Sequence, residues 1–114
     1  MCNFQEKGKN DKERLLGLTG LATRAGRVIF GTPMVCDAMR AGKKIFLVLE
    51  AGDSSANTHK RITDRCTYYR VPHARIDVGM GQLAHALGKS GDLAVVAITD
   101  KGLADAIGNL LPGE

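Results

Sequence analysis

The chain has 114 residues, 44% hydrophobic and 25% charged, which is typical of one folded domain and excludes a disordered or collagen-like chain. No apolar run approaches the roughly 18 residues of a membrane-spanning helix, and three cysteines spread along the chain fit neither a disulfide framework nor a CxxC metal pair. Residues 15–75 hold ten Lys and Arg against four Asp and Glu, a net +6, whereas residues 76–114 carry −3, so the basic middle favours an anionic partner.

The start of the chain is polar. Residues 1–10 include Gly8 and no apolar segment, which predicts a flexible tail ahead of a single domain over residues 11–114. Because the segment also lacks the apolar stretch of a secretory signal, we expect a cytoplasmic protein without a membrane partner.

The first elements of the domain follow this tail. Apolar residues recur at helical spacing over residues 15–25, and Gly26 follows as a left-handed cap, which predicts the first helix. Residues 27–30 are typical of a short strand. Thr32 as N-cap and Pro33 in the first turn then predict the start of a second helix.

Two continuous apolar runs, residues 45–49 and 93–98, are typical of strands buried on both faces. Strands and helices therefore alternate, which predicts a three-layer α/β/α sandwich around about four strands. The other elements predicted in the second half of the chain are a third helix capped by Ser54 or Ser55, a weaker strand over residues 73–78, a fourth helix over residues 82–87 and a last helix from Thr99 or Asp100.

No catalytic or metal motif is evident. His59, His73 and His85 fall on different elements, and none lies in a GxSxG or HExxH context. Cys66 lies in the apolar stripe of the third helix, where a thiol packs as a small hydrophobe. The sequence predicts a protein that is not an enzyme and holds no metal.

Residues 79–84 match G-x-G-x-x-A between a strand and a helix, and Asp100 follows about twenty residues later, as in dinucleotide sites. Only one further strand and helix follow, however, which leaves no second half to hold a dinucleotide. The glycines more simply allow a tight turn. A small nucleotide-binding domain is thus the third-ranked alternative, and we expect no cofactor.

The start of the second helix is a better candidate site. Residues 31–34 would present unpaired N–H groups and a partial positive charge, which suit a phosphate or a base edge. Arg27, Lys43 and Lys44 are close in sequence, and the loop that contains Lys89 precedes the second buried strand.

A likeness to a known family rests on five segments in order over residues 15–110: LTGLATRAGRVIFG at 18–31, EAGDSSANTHK at 50–60, TDRCTYYRVP at 63–72, LAHALGK at 83–89 and VAITDKG at 96–102. Together they resemble the ribosomal protein L7Ae family, and within it the small bacterial YlxQ-like branch. The resemblance implies a mixed four-stranded sheet within the α/β/α sandwich and a role in binding kink-turn RNA.

In that family a Gly-x-Asn-Glu-x-x-Lys signature at the start of the second helix reads tandem G·A pairs. Gly31 and Thr32 match it, but Pro33, Met34 and Asp37 stand where Asn, Glu and Lys would be. Proline has no side-chain amide or N–H, methionine cannot accept a strong hydrogen bond, and aspartate places negative charge near phosphate. The base-reading chemistry is therefore mostly absent.

The sequence thus predicts an RNA-binding protein, associated with ribosomes or other ribonucleoproteins, whose partner is structured RNA and whose candidate protein partners are ribosomal or RNA-processing proteins. The alternative is a protein-interaction module that kept the fold without kink-turn recognition. The resemblance adds two positions in the loop before the last strand, Gly91 and Leu93. The predicted RNA-binding residues are Arg27, Gly31, Thr32, Pro33, Met34, Lys43, Lys44, Lys89, Gly91 and Leu93.

Overall fold

A computed structural model describes residues 7–111. Helices and strands alternate after the first helix, as predicted. In chain order the elements are α1 (Lys7–Arg24), β1 (Val28–Phe30), α2 (Thr32–Arg40), β2 (Leu47–Ala51), α3 (Ala56–Tyr69), β3 (His73–Ile76), α4 (Met80–Ala86), β4 (Val95–Ile98) and α5 (Lys101–Gly108).

The four strands form one sheet in the order β1-β4-β2-β3. β4 pairs antiparallel with both β1 and β2, whereas β2 and β3 run parallel. The sheet is therefore mixed, which confirms the predicted fold class. Its two central strands, β2 and β4, are buried at every position.

Helices cover both faces of the sheet. On one face α1, α4 and α5 pack through an apolar cluster that includes Leu15, Leu83 and Ile107. On the other face α2 and α3 pack through a second cluster that includes Val35 and Ile62. Alternate residues of β2 and β4 contribute to the two clusters, which is why continuous apolar runs encode these strands.

Several element boundaries differ from the prediction. α1 begins at Lys7, so residues 7–10 are helical where the sequence predicts a flexible tail, and residues 1–6 lie outside the described part. β2 covers Leu47–Ala51 instead of residues 45–49. The apolar run marks burial, whereas the ladder of hydrogen bonds sets the ends of a strand.

The helix caps agree with the prediction at two helices and differ at α2. Ser55 accepts a hydrogen bond from the Thr58 N–H, and Asp100 accepts one from the Leu103 N–H. At α2 the N-cap is Gly31 and not Thr32, since Gly31 has φ 90° and no side chain caps the helix. A positive φ of this size favours glycine.

Candidate nucleic-acid interface

The start of α2 lies against the beginning of β4. The Gly31 N–H donates to the Val95 carbonyl over 2.9 Å, which fixes the turn from β1 into the helix. The Val35 N–H bonds back to the Gly31 carbonyl, and Pro33 has no N–H. Within the described residues no acceptor satisfies the N–H groups of Thr32 and Met34, so they face outward.

The loop before β4 lies beside this turn. The Lys89 ammonium sits 4.2 Å from the ring centroid of Phe30, the residue before Gly31. Gly91 has φ 87°, and Leu93 packs partly into the core while its N–H donates to the Met80 carbonyl. These contacts bring seven predicted residues to one end of the sheet. We call this the α2-start surface: Gly31, Thr32, Pro33, Met34, Lys89, Gly91 and Leu93.

The other three predicted residues lie at the opposite end of the sheet. The Arg27 carbonyl accepts a hydrogen bond from the Thr99 N–H, just beyond the end of β4. Lys43 and Lys44 follow the C-terminus of α2 and precede Phe46, whose N–H bonds to Ile98 at that same end. The nine residues of α2, about 13 Å of helix, separate them from the α2-start surface.

Lys43 and Lys44 border a groove that the sequence analysis did not identify. The groove runs between the C-terminal ends of α2 and α3, and its other wall carries Tyr69 and Arg70. Tyr68, 77% exposed, packs edge-on against Tyr69 with ring centroids 4.8 Å apart. We call this the α2-end groove; it is lined by Met39, Gly42, Lys43, Lys44, Ile45, Phe46, Tyr69, Arg70 and Val71.

The positions of the altered family signature are exposed. Pro33 lies on the surface and Met34 is 60% exposed. Asp37, one turn further along α2, forms an ion pair with Arg40. None of the three side chains contributes to the core, so all three positions are accessible to a binding partner.

A buried carboxylate joins two of the histidines. Glu50 in β2 is fully buried, and its oxygens lie 2.8 Å from Nδ1 of His59 and 2.9 Å from Nε2 of His73, with Ser54 donating as well. Arg75 Nε is 3.9 Å away. Burial alone would raise the pKa of Glu50, but the hydrogen bonds from Ser54, His59 and His73 outweigh it and hold the pKa below its usual value. Sequence spacing gave no signal for this cluster, since its members come from three elements.

Cys66 is buried as predicted. Burial, with smaller contributions from Cys36 and Glu50, raises the pKa of this thiol to about 12. A thiol protonated to that degree is not a nucleophile near neutral pH. Across residues 12–111, where side chains are described, no group of three or more His, Cys, Asp or Glu side chains is arranged to hold a metal ion.

The glycine-rich turn before α4 is already occupied by protein groups. Asp53 Oδ1 accepts a hydrogen bond from the Met80 N–H over 2.8 Å, which places a carboxylate where a pyrophosphate would bind. Asp100, whose spacing from the glycine motif matched a dinucleotide site, caps α5 instead. Both observations weigh against a dinucleotide site. In the part of the chain that is described, no helix is long and apolar enough to cross a membrane.

Comparison with known proteins agrees with the resemblance. The family model described as "Ribosomal protein L7Ae/L30e/S12e/Gadd45 family" matches residues 13–107. The "RNA-binding protein YlxQ" of Bacillus subtilis is 39% identical over 94 residues, 82% of this chain and 91% of the relative. The protein of the same name from Enterococcus faecium is 30% identical over 105 residues, 92% of this chain and 98% of the relative.

Solved structures share the fold. A protein of unknown function from Bacillus halodurans superposes with a TM-score of 0.76 at 29% identity, covering 84% of this chain and 94% of the other. The Giardia lamblia 15.5kD RNA binding protein superposes with a TM-score of 0.72 at 19% identity, covering 90% and 91%. The second likeness concerns the fold alone.

Proposed function

Since the chain belongs to the ribosomal protein L7Ae/L30e/S12e/Gadd45 family, we propose that it is a non-enzymatic RNA-binding protein that contacts RNA through the α2-start surface. The relatives named RNA-binding proteins support a binding function over an enzymatic one. The observation that carries the proposal is that two groups suited to an anion lie at the same end of the sheet. These are the open N–H groups at the start of α2 and the ammonium of Lys89, which its loop places against Phe30.

The chemistry of this surface suits a phosphate backbone more than a base edge. Two outward N–H groups, the partial positive charge of a helix start and the Lys89 ammonium all attract anions. The side chains of Pro33 and Met34 supply no donor or strong acceptor. We therefore propose binding to structured RNA, in a ribosomal or other ribonucleoprotein particle, with weak selectivity for kink-turns.

Charge reversal at the loop tests the contact. Lys89→Glu should weaken binding to total cellular RNA about tenfold and flatten the dependence of log K on log salt by roughly 1, because one phosphate contact is lost. Lys101→Glu is the matched control, since Lys101 is an exposed lysine on α5 at the other end of the sheet. Equal affinities for the two variants would refute a role for this surface.

A kink-turn titration tests selectivity. Loss of Asn, Glu and Lys removes two or three contacts of about 1 to 3 kcal/mol each, so affinity should be at least tenfold to a hundredfold below that of a protein with the full signature. The triple change Pro33→Asn, Met34→Glu and Asp37→Lys should tighten kink-turn binding, and the exposure of all three positions leaves the core intact. Nanomolar binding by the unaltered chain would contradict the proposal.

The competing function is protein interaction without RNA recognition. Sedimentation of cell extracts through sucrose gradients, with and without ribonuclease, separates the two. We expect the protein in ribonucleoprotein fractions and its release by ribonuclease. No detectable RNA binding at low salt, together with a complex that survives ribonuclease, would favour the protein-interaction module.

A further inference from the structure

The α2-end groove is a second concentration of positive charge, separate from the α2-start surface. Lys43, Lys44 and Arg70 approach it from the ends of two different helices. All three are exposed, and in the described part of the chain no ion pair joins them to an acidic side chain. Unpaired cations on both walls of a groove are the arrangement that follows a polyanion backbone.

Arg70 occupies a backbone conformation that favours glycine. It has φ 58° and ψ 46°, the left-handed cap of α3, and is the sole non-glycine residue with positive φ in the described chain. Glycine would end the helix here without the steric penalty that a side chain carries. An arginine at a position that glycine would fill at lower cost, with its side chain on a basic groove, indicates a role other than stability.

Tyr68 adds an aromatic face next to the groove. Its ring is 77% exposed and is held edge-on by Tyr69, which itself lines the groove. An exposed ring beside cationic side chains is a platform on which an unstacked base can rest. A duplex offers no unstacked base, so a groove that combines cations with an exposed aromatic ring favours single-stranded over double-stranded RNA.

We propose that the α2-end groove binds a single-stranded RNA segment, with Lys43, Lys44 and Arg70 on its phosphates and Tyr68 stacked on a base. This inference rests on the proposed RNA-binding function and adds a second contact to it. Because α2 separates the two sites by about 13 Å, one RNA with a structured element and a single-stranded flank can occupy both.

The test uses fluorescence anisotropy of the full chain with a labelled oligouridine of about 12 nucleotides, a probe with no kink-turn. Arg70→Gly is the most informative variant, because it should raise the melting temperature by about 4 °C while lowering affinity severalfold. Lys43→Ala with Lys44→Ala should reduce the salt slope by about 1.4, at roughly 0.7 for each phosphate on a single strand. Tyr68→Ala should cost fivefold or more, about the effect of losing one base stack, and Tyr68→Phe should restore binding.

The matched control for charge is Arg14→Ala with Lys101→Ala, which removes two cations from the α1 and α5 layer on the other face of the sheet. We expect it to leave oligouridine affinity within twofold of wild type. If Arg70→Gly and the double lysine variant bind like this control, the groove is not an RNA contact. If the variants instead lose affinity only for an acidic peptide such as oligoglutamate, the partner is a protein and the inference is wrong.

The failure of this inference is distinguishable from that of the proposed function. A wild-type chain that binds neither oligouridine nor cellular RNA overturns both. If RNA binding depends on Lys89 but is unchanged in the groove variants, only the proposed groove contact is wrong.

Discussion

Glu50 is a charged residue without access to solvent, in the middle of a hydrophobic strand. A buried carboxylate is tolerated when donors satisfy it, and here Ser54, His59 and His73 supply them. Because an ionised carboxylate only accepts hydrogen bonds, both ring nitrogens that face it must carry a proton. The cluster ties the first turn of α3 and the edge strand β3 to the centre of the sheet.

The depressed pKa of Glu50 predicts acid sensitivity. Stability from this group is complete above the unfolded pKa of about 4.5 and is lost as pH falls through the lower folded pKa. Glu50→Gln should lower the free energy of unfolding by about 1 to 3 kcal/mol at pH 6.5, because an amide leaves one donor unpaired. Urea unfolding at pH 6.5, 4.5 and 3 should show this difference shrinking as the wild-type carboxylate becomes protonated. A constant difference over the three pH values would mean that Glu50 does not titrate as proposed.

At the scale of single elements, α5 depends on its N-cap. Asp100 accepts the Leu103 N–H over 2.8 Å, so Asp100→Ala should cost about 1 kcal/mol and lower the melting temperature by about 4 °C. Asp105→Ala on the same helix is the control. Its carboxylate forms only an exposed pair with Lys101, and loss of such a pair should change little. Similar melting temperatures for the two variants would argue against the cap.

The elements were largely predictable because local signals agree with tertiary packing. Apolar periodicity located α1, the Thr32-Pro33 pair located the start of α2, and the two apolar runs located β2 and β4. The prediction ended β2 before Glu50, since glutamate is rarely buried without partners. Those partners, His59 and His73, lie 9 and 23 residues away, and a local pattern carries no information about them.

The candidate site was predictable only in part. The turn at Gly31 is predictable because glycine, threonine and proline in succession indicate a turn into a helix. Closeness in sequence, however, suggested that Lys43 and Lys44 would join it, whereas a helix carries its two ends apart. Arg70 went unnoticed because the sequence gives no hint that its backbone is left-handed. Residues close in sequence can thus lie at opposite ends of a helix and belong to different surfaces.

At the scale of the whole molecule, cations lie at both ends of the sheet: Lys89 at the α2-start surface, and Lys43, Lys44 and Arg70 at the α2-end groove. The α2-start surface and the α2-end groove together include all the predicted RNA-binding residues except Arg27, which lies at the same end as the groove. Of the basic residues within 15–75, Lys43, Lys44 and Arg70 lie at the groove, whereas the α2-start surface takes its single lysine, Lys89, from the acidic last part of the chain. Salt dependence of binding to a long RNA should therefore exceed that of binding to a short structured one.

The whole-molecule architecture also predicts an absence of dinucleotide binding. A ligand at 100 times its Kd adds about 2.7 kcal/mol of stability, a shift of roughly 10 °C for a domain of this size. We expect no shift with NAD or FAD, because Asp53 occupies the start of α4 and α4 has only seven residues. A rise in melting temperature that Gly81→Val abolishes would overturn this expectation.

The Glu50 cluster also restricts the order in which mutations can accumulate at these positions. Replacing His59 and His73 first would leave a buried negative charge with too few donors, a change that costs several kcal/mol. Replacing Glu50 first by an apolar residue leaves no buried charge: His59 is half exposed and can turn to water, and His73, 15% exposed, loses the partner of its Nε2 at a cost of about 1 to 3 kcal/mol. Loss of the glutamate is therefore the less costly first step. Among reconstructed ancestors, Glu50 without both histidines should be rarer than the histidines without the glutamate.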